Sequence, residues 1–190
     1  MPRVATKKKN KGGKTVQYSC CRCSEPILPG QEYHEWAFRY GGTYRQHTTH
    51  GYPRQSQLTQ SKLSGVYAAI ESAEEMLASV DNIEDMRSIL DDCKSEIEQV
   101  RDEYQEGLDN MPDGLRDAAS ETQEKIEALE TFCYELDNVS LDEFDEEEPV
   151  EEGMEPEEFK NLHDRWQERY DNHLEEQRSA VSEAFSNLSV

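Results

Sequence analysis

A chain of 190 residues has room for one or two small domains, and 33% charged against 34% apolar residues cannot fill one large core. The net charge of −22 averages two opposite halves: residues 1–62 hold eleven Lys/Arg against three Asp/Glu, a net of +8, and residues 63–190 hold nine against thirty-nine, a net of −30. The front half suits a polyanion and the back half repels one, so no single uniform binding surface is expected.

Residues 1–15 read as a basic disordered arm, because the run Lys7, Lys8, Lys9, Asn10, Lys11, Gly12, Gly13, Lys14 buries nothing. Residues 16–54 read as a small β unit. An aromatic-rich run from Gln31 to Tyr40 and a second from Thr43 to Gln46 flank Gly41-Gly42, which predicts a hairpin. Pro26 and Pro29-Gly30 mark turns before it.

From about Pro53 the period becomes helical, and residues 55–139 read as an antiparallel helical bundle or coiled coil. Leu63, Val66, Ile70, Ala73, Leu77 and Val80 line one face. Asp81, with Glu84 three residues on, is the expected cap of the next helix. Its seam is Ile83, Met86, Leu90, Cys93, Ile97, Val100 and Tyr104. Pro112 and Gly114 break it. A third seam runs Leu115, Ala119, Thr122, Ile126, Leu129, Cys133, Leu136. Residues 140–156 form an acidic linker. Residues 157–190 form a last helix, with Pro156 suited to its first turn and Phe159, Leu162, Trp166, Tyr170, Leu174, Val181, Phe185 and Leu188 as its stripe. Short turns between seams of similar length predict antiparallel packing.

The chemistry is concentrated in Cys20-x-x-Cys23 and His47-x-x-His50. Two such pairs are the ligand set of a tetrahedral zinc ion. A segment this small cannot build a core alone, and metal supplies the missing folding energy, on the order of 10 kcal/mol in zinc-finger peptides. Cys21 can substitute for Cys20, and His34 is a further alternative. Four ligands close the site, so one structural Zn2+ per chain is expected and not a catalytic one. The expected fold class is α+β: a small zinc-stabilised β-hairpin finger followed by a long antiparallel helical or coiled-coil region.

Cys20-x-x-Cys23-Ser24-Glu25-Pro26-Ile27-Leu28-Pro29-Gly30-Gln31, a hairpin and His47-x-x-His50 together resemble the zinc fingers of poly(ADP-ribose) polymerase type over residues 17–52. Cys20, Cys23 and His47 match that pattern, and His50 stands where the fourth ligand is ordinarily Cys. The resemblance implies a structural metal and contact with DNA breaks. The whole chain, with its finger, the stretch Pro53-Arg54-Gln55-Ser56-Gln57-Leu58-Thr59 and acidic helices, also looks like uncharacterised bacteriophage proteins. That likeness implies a phage origin and a place in the host cytoplasm.

Arginines interleaved with aromatics suit single strands or exposed base edges. The residues expected to touch nucleic acid, within residues 1–62, are Lys7, Lys8, Lys9, Lys11, Lys14, Arg22, Trp36, Arg39, Tyr44, Arg45 and Arg54. The helical part offers no nucleophile–base pair and no phosphate loop, so no catalytic residue is assigned and an enzyme is not expected. Its acid pairs read as solvated faces or as an acidic surface for a basic protein, including mimicry of DNA charge. The cysteines are odd in number and clustered, unlike a secreted disulfide framework. The N-terminus lacks an apolar h-region, and no run approaches the ~18 apolar residues of a membrane span. The expectation is a cytoplasmic binding or adaptor protein, with a protein partner or homodimer through residues 63–190 and no membrane contact. The alternative is an inhibitor of a host nucleic-acid-binding protein.

Overall fold

In the computed structural model the described residues are 1–7, 18–112 and 116–188, without the side chains of 116–118. The fold is α+β. Small antiparallel sheets come first and long helices follow. The chain divides into two units, Met1–Ala68 and Ala69–Val190.

The first unit has a three-stranded sheet of order β1 (Ala5–Lys7), β4 (Tyr33–Ala37), β5 (Thr43–His47). β2 (Tyr18–Ser19) and β3 (Pro26–Ile27) form a separate ribbon. The hairpin expected around Gly41-Gly42 is the β4–β5 pair, in which Tyr33 faces His47 and Trp36 faces Tyr44. Ala5–Lys7 lies within the stretch read as a disordered arm, yet it pairs with Tyr33–Glu35 as an edge strand. The pleat separates two faces. Tyr33 joins Cys20 and Ile27 in a small core, with Tyr18 packed against it. On the other face Trp36 and Gln46 are almost fully buried, and the Trp36 indole N–H donates to the Gln57 carbonyl. Neither cluster is large. Each apolar side chain buried this way contributes about 1.5–3 kcal/mol before the entropy of ordering its segment is subtracted.

A short helix α1 (Gln55–Leu58) precedes α2 (Leu63–Leu77). In the second unit α3 (Ile83–Asp109) and α4 (Arg116–Asp137) make the main helix pair. Arg87 reaches the Leu141 carbonyl, and Lys94 reaches Asp137 at 2.6 Å. Positions rising along one helix meet positions falling along the other, so the pair is antiparallel. Its seam buries Met86, Leu90, Cys93 and Ile97 against Ile126, Leu129, Cys133 and Leu136. Ile89 and Phe132 are buried as well, which widens the stripe beyond a strict a/d seam. Leu115 and Gly114 lie outside the described residues. The cap of α3 is Asn82 rather than Asp81. Asn82 has extended backbone and its side chain accepts from the Asp85 N–H at 2.8 Å, while its amide donates to the Asp85 carboxylate. The physical reason is register: Asn82 stands one residue before Ile83, where its side-chain oxygen reaches the N3 donor.

Pro156 opens α5 (Pro156–Ser186). The C-terminal half of α5 buries Leu174, Val181, Ala184 and Phe185. Its N-terminal half is covered instead by the acidic segment ahead of it. Asp142 N–H donates to Gln177, and the Asp142 carbonyl lies 2.8 Å from His173 Nε2. Trp166 donates to the Glu146 carbonyl, Arg169 pairs with the Glu146 carboxylate, and His163 lies 3.4 Å from Glu148. Residues 142–148 therefore run antiparallel along α5. Among the described residues no helix is long and apolar enough to cross a membrane.

Candidate metal centre and basic surface

Cys20 follows β2, and Cys23 follows it by one tight turn. The turn is a backbone knuckle. Cys20 N–H donates to Glu25 O, Ser24 N–H to Cys20 O, and Cys21 N–H to Arg45 O at 2.8 Å. The last of these ties the knuckle to β5. Ser24 takes a positive φ of 63°, the left-handed conformation a chain needs to turn back there. His47 ends β5, and His50 closes a 3₁₀ turn, Thr48–His50. Gly51, at φ 78°, ends that turn. Buried Gln46 braces it by donating to the Gly51 carbonyl, and Arg22 caps the His50 carbonyl.

One ligand atom from each of Cys20, Cys23, His47 and His50 lies within 4.8 Å of the others. Standard zinc–sulfur and zinc–nitrogen lengths put tetrahedral ligands roughly 3.3–3.8 Å apart, so small side-chain movements suffice to close on an ion. Cys23 Sγ is already 3.6 Å from His47 Nδ1. His50 Nε2 is buried with no hydrogen-bond partner. A buried imidazole nitrogen left without a partner is costly, and a metal ion satisfies it. Burial pushes the Cys20 thiol up, but the backbone N–H groups of Cys23, His47 and Arg22 outweigh it and bring the group down to about 6. The thiolate is the metal-binding form. Cys21 goes the other way: burial and the neighbouring Cys20 and Cys23 push its thiol up.

The donor set therefore fits a metal ion. Cys21 is exposed and outside the cluster, in contact with Gln57. His34 lies opposite Gln46 on the pleat, away from the face that carries His47, and its Nδ1 meets Thr6 Oγ1 at 3.1 Å. Neither alternative ligand belongs to the site.

The residues expected to contact nucleic acid divide. Trp36 is only 2% exposed and is a core residue, so no base can stack on it. Tyr44 covers its face in a near-parallel stack, 17° between planes, and is itself 40% exposed. Arg45 lies over the Tyr18 ring and bonds Glu35 at 2.8 Å, while Lys7 approaches the same carboxylate at 3.5 Å. Arg22 is exposed but engaged at His50. Arg39 is exposed above Tyr40, and Arg54 is half-buried. Lys8, Lys9, Lys11 and Lys14 lie outside the described residues. Phe38 and Arg39 line an open cavity of about 670 Å³ with Leu58, Thr59 and Gln60. Sequence reading did not single out that cavity, which needs β4 and the α1 segment brought together. Tyr40, 86% exposed beside Arg39, is a further aromatic of this edge.

Compared with known proteins, the chain matches no family model, no curated protein and no solved structure. The likeness to a known finger type thus reduces to the two-cysteine, two-histidine cluster itself.

Proposed function

We propose that the chain is a non-enzymatic binding or adaptor protein. A structural zinc ion holds its basic front unit, that unit contacts nucleic acid, and the acidic helices contact a basic protein. The observation that carries this reading is the convergence of Cys20, Cys23, His47 and His50 inside a unit of net charge +8. Zinc is favoured over other ions by a mixed thiolate and imidazole set of four. All four donors come from the chain, so no position is left for substrate, and the metal's part is to hold the knuckle against the hairpin.

The nucleic-acid reading rests on the edge formed by Phe38, Arg39, Tyr40 and Tyr44. Exposed rings beside arginine suit stacked, unpaired bases, and the adjoining cavity is within the size range of ligand pockets. Arg45 and Lys7 share Glu35, which lowers their availability. The test is binding of the full chain to single-stranded DNA, duplex DNA and RNA across a salt series. The reading expects affinity for single strands that falls steeply with salt and drops further in Arg39→Gln/Tyr44→Ala. Salt-independent binding, or none, overturns it.

A second reading is favoured by the −30 charge of the helical part. Such a surface can occupy the groove of a nucleic-acid-binding protein and inhibit it. Loss of that protein's DNA binding on addition of the full chain, without any binding of the chain to DNA, supports this reading over the first.

A further inference from the structure

The acidic unit also has a concave surface feature. A cleft of about 410 Å³ lies between the first turn of α3, the segment before α5, and α5 itself. One wall is aromatic. Trp166 and Tyr170 stack 5.1 Å apart with 7° between their planes, and Phe144 stands edge-on to both. All three rings are half-buried, so part of each stays open. Two of them are also anchored by hydrogen bonds, Trp166 to Glu146 O and Tyr170 to Asp81 O. The rest of the lining includes Glu84, Asp85, Glu143 and Glu146.

We infer that this cleft receives an arginine side chain from a basic protein segment. The inference rests on the reading that the acidic unit binds a basic protein, and it assigns that contact a place. Charge decides the ligand's sign. Arg87 pairs with Glu143 and Arg169 with Glu146, and among the described residues no cation pairs with Glu84 or Asp85. Asp85 is hydrogen-bonded to Asn82, a neutral group. An anion is repelled, and an apolar side chain gains nothing from the two carboxylates. A guanidinium satisfies both walls, because its flat face lies against an aromatic ring while its N–H fork reaches a carboxylate. An ammonium has the charge without the plane.

The test uses the full chain. Its two tryptophans, Trp36 and Trp166, give two indole N–H signals in proton–nitrogen NMR spectra, assigned with Trp166→Phe. The probes are a glycine–arginine repeat peptide and the matching glycine–lysine peptide at physiological salt. The expected result is a saturable shift of the Trp166 signal alone, with the arginine peptide the tighter ligand. Glu84→Gln/Asp85→Asn should weaken it by about tenfold, the scale of losing charge-assisted contacts at a partly desolvated site. Both side chains are exposed, and the amide oxygen of Asp85→Asn can still accept from the Asn82 cap, so helical content by circular dichroism should match the parent chain. Glu151→Gln/Glu152→Gln makes the same change in net charge at exposed positions outside the cleft lining, and should leave affinity within about twofold. Equal weakening by both doubles, or binding that leaves Trp166 unmoved, overturns the cleft while the basic-partner reading stands. Equal affinity for the lysine peptide overturns the guanidinium assignment. No binding of either peptide overturns cleft and basic-partner reading together.

Discussion

Cys23 Sγ lies 3.6 Å from His47 Nδ1, although 24 positions separate the two residues. What brings them together is the Cys21 N–H bond to Arg45 O, which fastens the knuckle to the strand ending at His47. Backbone hydrogen bonds and the four ligands thus specify one geometry, and the ion is what would lock it.

Those bonds include one strained residue. Ser24 holds φ at 63°, a region that costs an L-residue about 1–2 kcal/mol. Its side chain is exposed, so Ser24→Gly removes the strain without emptying a core. The larger entropy of glycine in the unfolded chain offsets part of the gain. The expected outcome is a net stabilisation of the first unit of up to about 1 kcal/mol. Ser24→Val should lower stability instead. Chemical denaturation of both variants, metal-loaded, checks the pair.

Trp36 and Tyr44 stack on each other but should fail differently. Trp36→Ala empties a fully enclosed site and should destabilise the first unit by about 3–5 kcal/mol. Tyr44→Ala exposes the Trp36 face, costs less stability, and should weaken single-strand binding. Thermal melts paired with a binding titration separate the two effects.

The helical unit has its own thiol signature. Burial, followed by the nearby charges of Glu96, Cys133 and Glu74, pushes the Cys93 thiol from 9.0 up to about 12. Burial raises Cys133 as well. A value raised on folding means that the fold favours the neutral thiol. That stabilisation is complete below pH 9.0 and is lost as pH rises toward about 12. Denaturation midpoints of the helical signal should fall across that window, and less so in Cys93→Ala measured against its own neutral-pH value. In the metal-loaded chain, alkylation should modify exposed Cys21, slowly because its thiol is raised, while sparing Cys93 and Cys133 until the helices unfold.

Leu129 is fully buried on the α3–α4 seam. Leu129→Ala should cost the helical unit about 2–5 kcal/mol. Metal content should not change, because the ligands all lie in the first unit. Calorimetry with metal analysis on the same sample tests both halves of the statement.

Much of this was legible in the sequence because it rests on local spacing. The two i, i+3 ligand pairs, the Gly41-Gly42 hairpin, the helical seams and Pro156 as a helix start depend on residues close in the chain. What escaped depends on which face a strand turns or on distant pairing. The presence of Trp36 in a basic, aromatic stretch did not reveal that Gln57, 21 residues on, would cover it. Ala5–Lys7 has no strand pattern of its own and is ordered by the edge of β4. The cap of α3 moved by one residue because either Asp81 or Asn82 has the chemistry and only register chooses. Residues 142–148 looked like a linker by composition, yet they pair with Trp166, Arg169 and His173 on α5.

X-ray absorption at the zinc edge of the full chain, with the metal counted on the same sample, tests the central claim most directly. The account predicts one zinc per chain with two sulfur and two nitrogen neighbours, zinc–sulfur distances of about 2.3 Å, retention of the ion in Cys21→Ala, and its loss with unfolding of the first unit in Cys23→Ala or His47→Ala. A first unit that stays folded without metal, or a zinc shell that survives both of those variants, would contradict it.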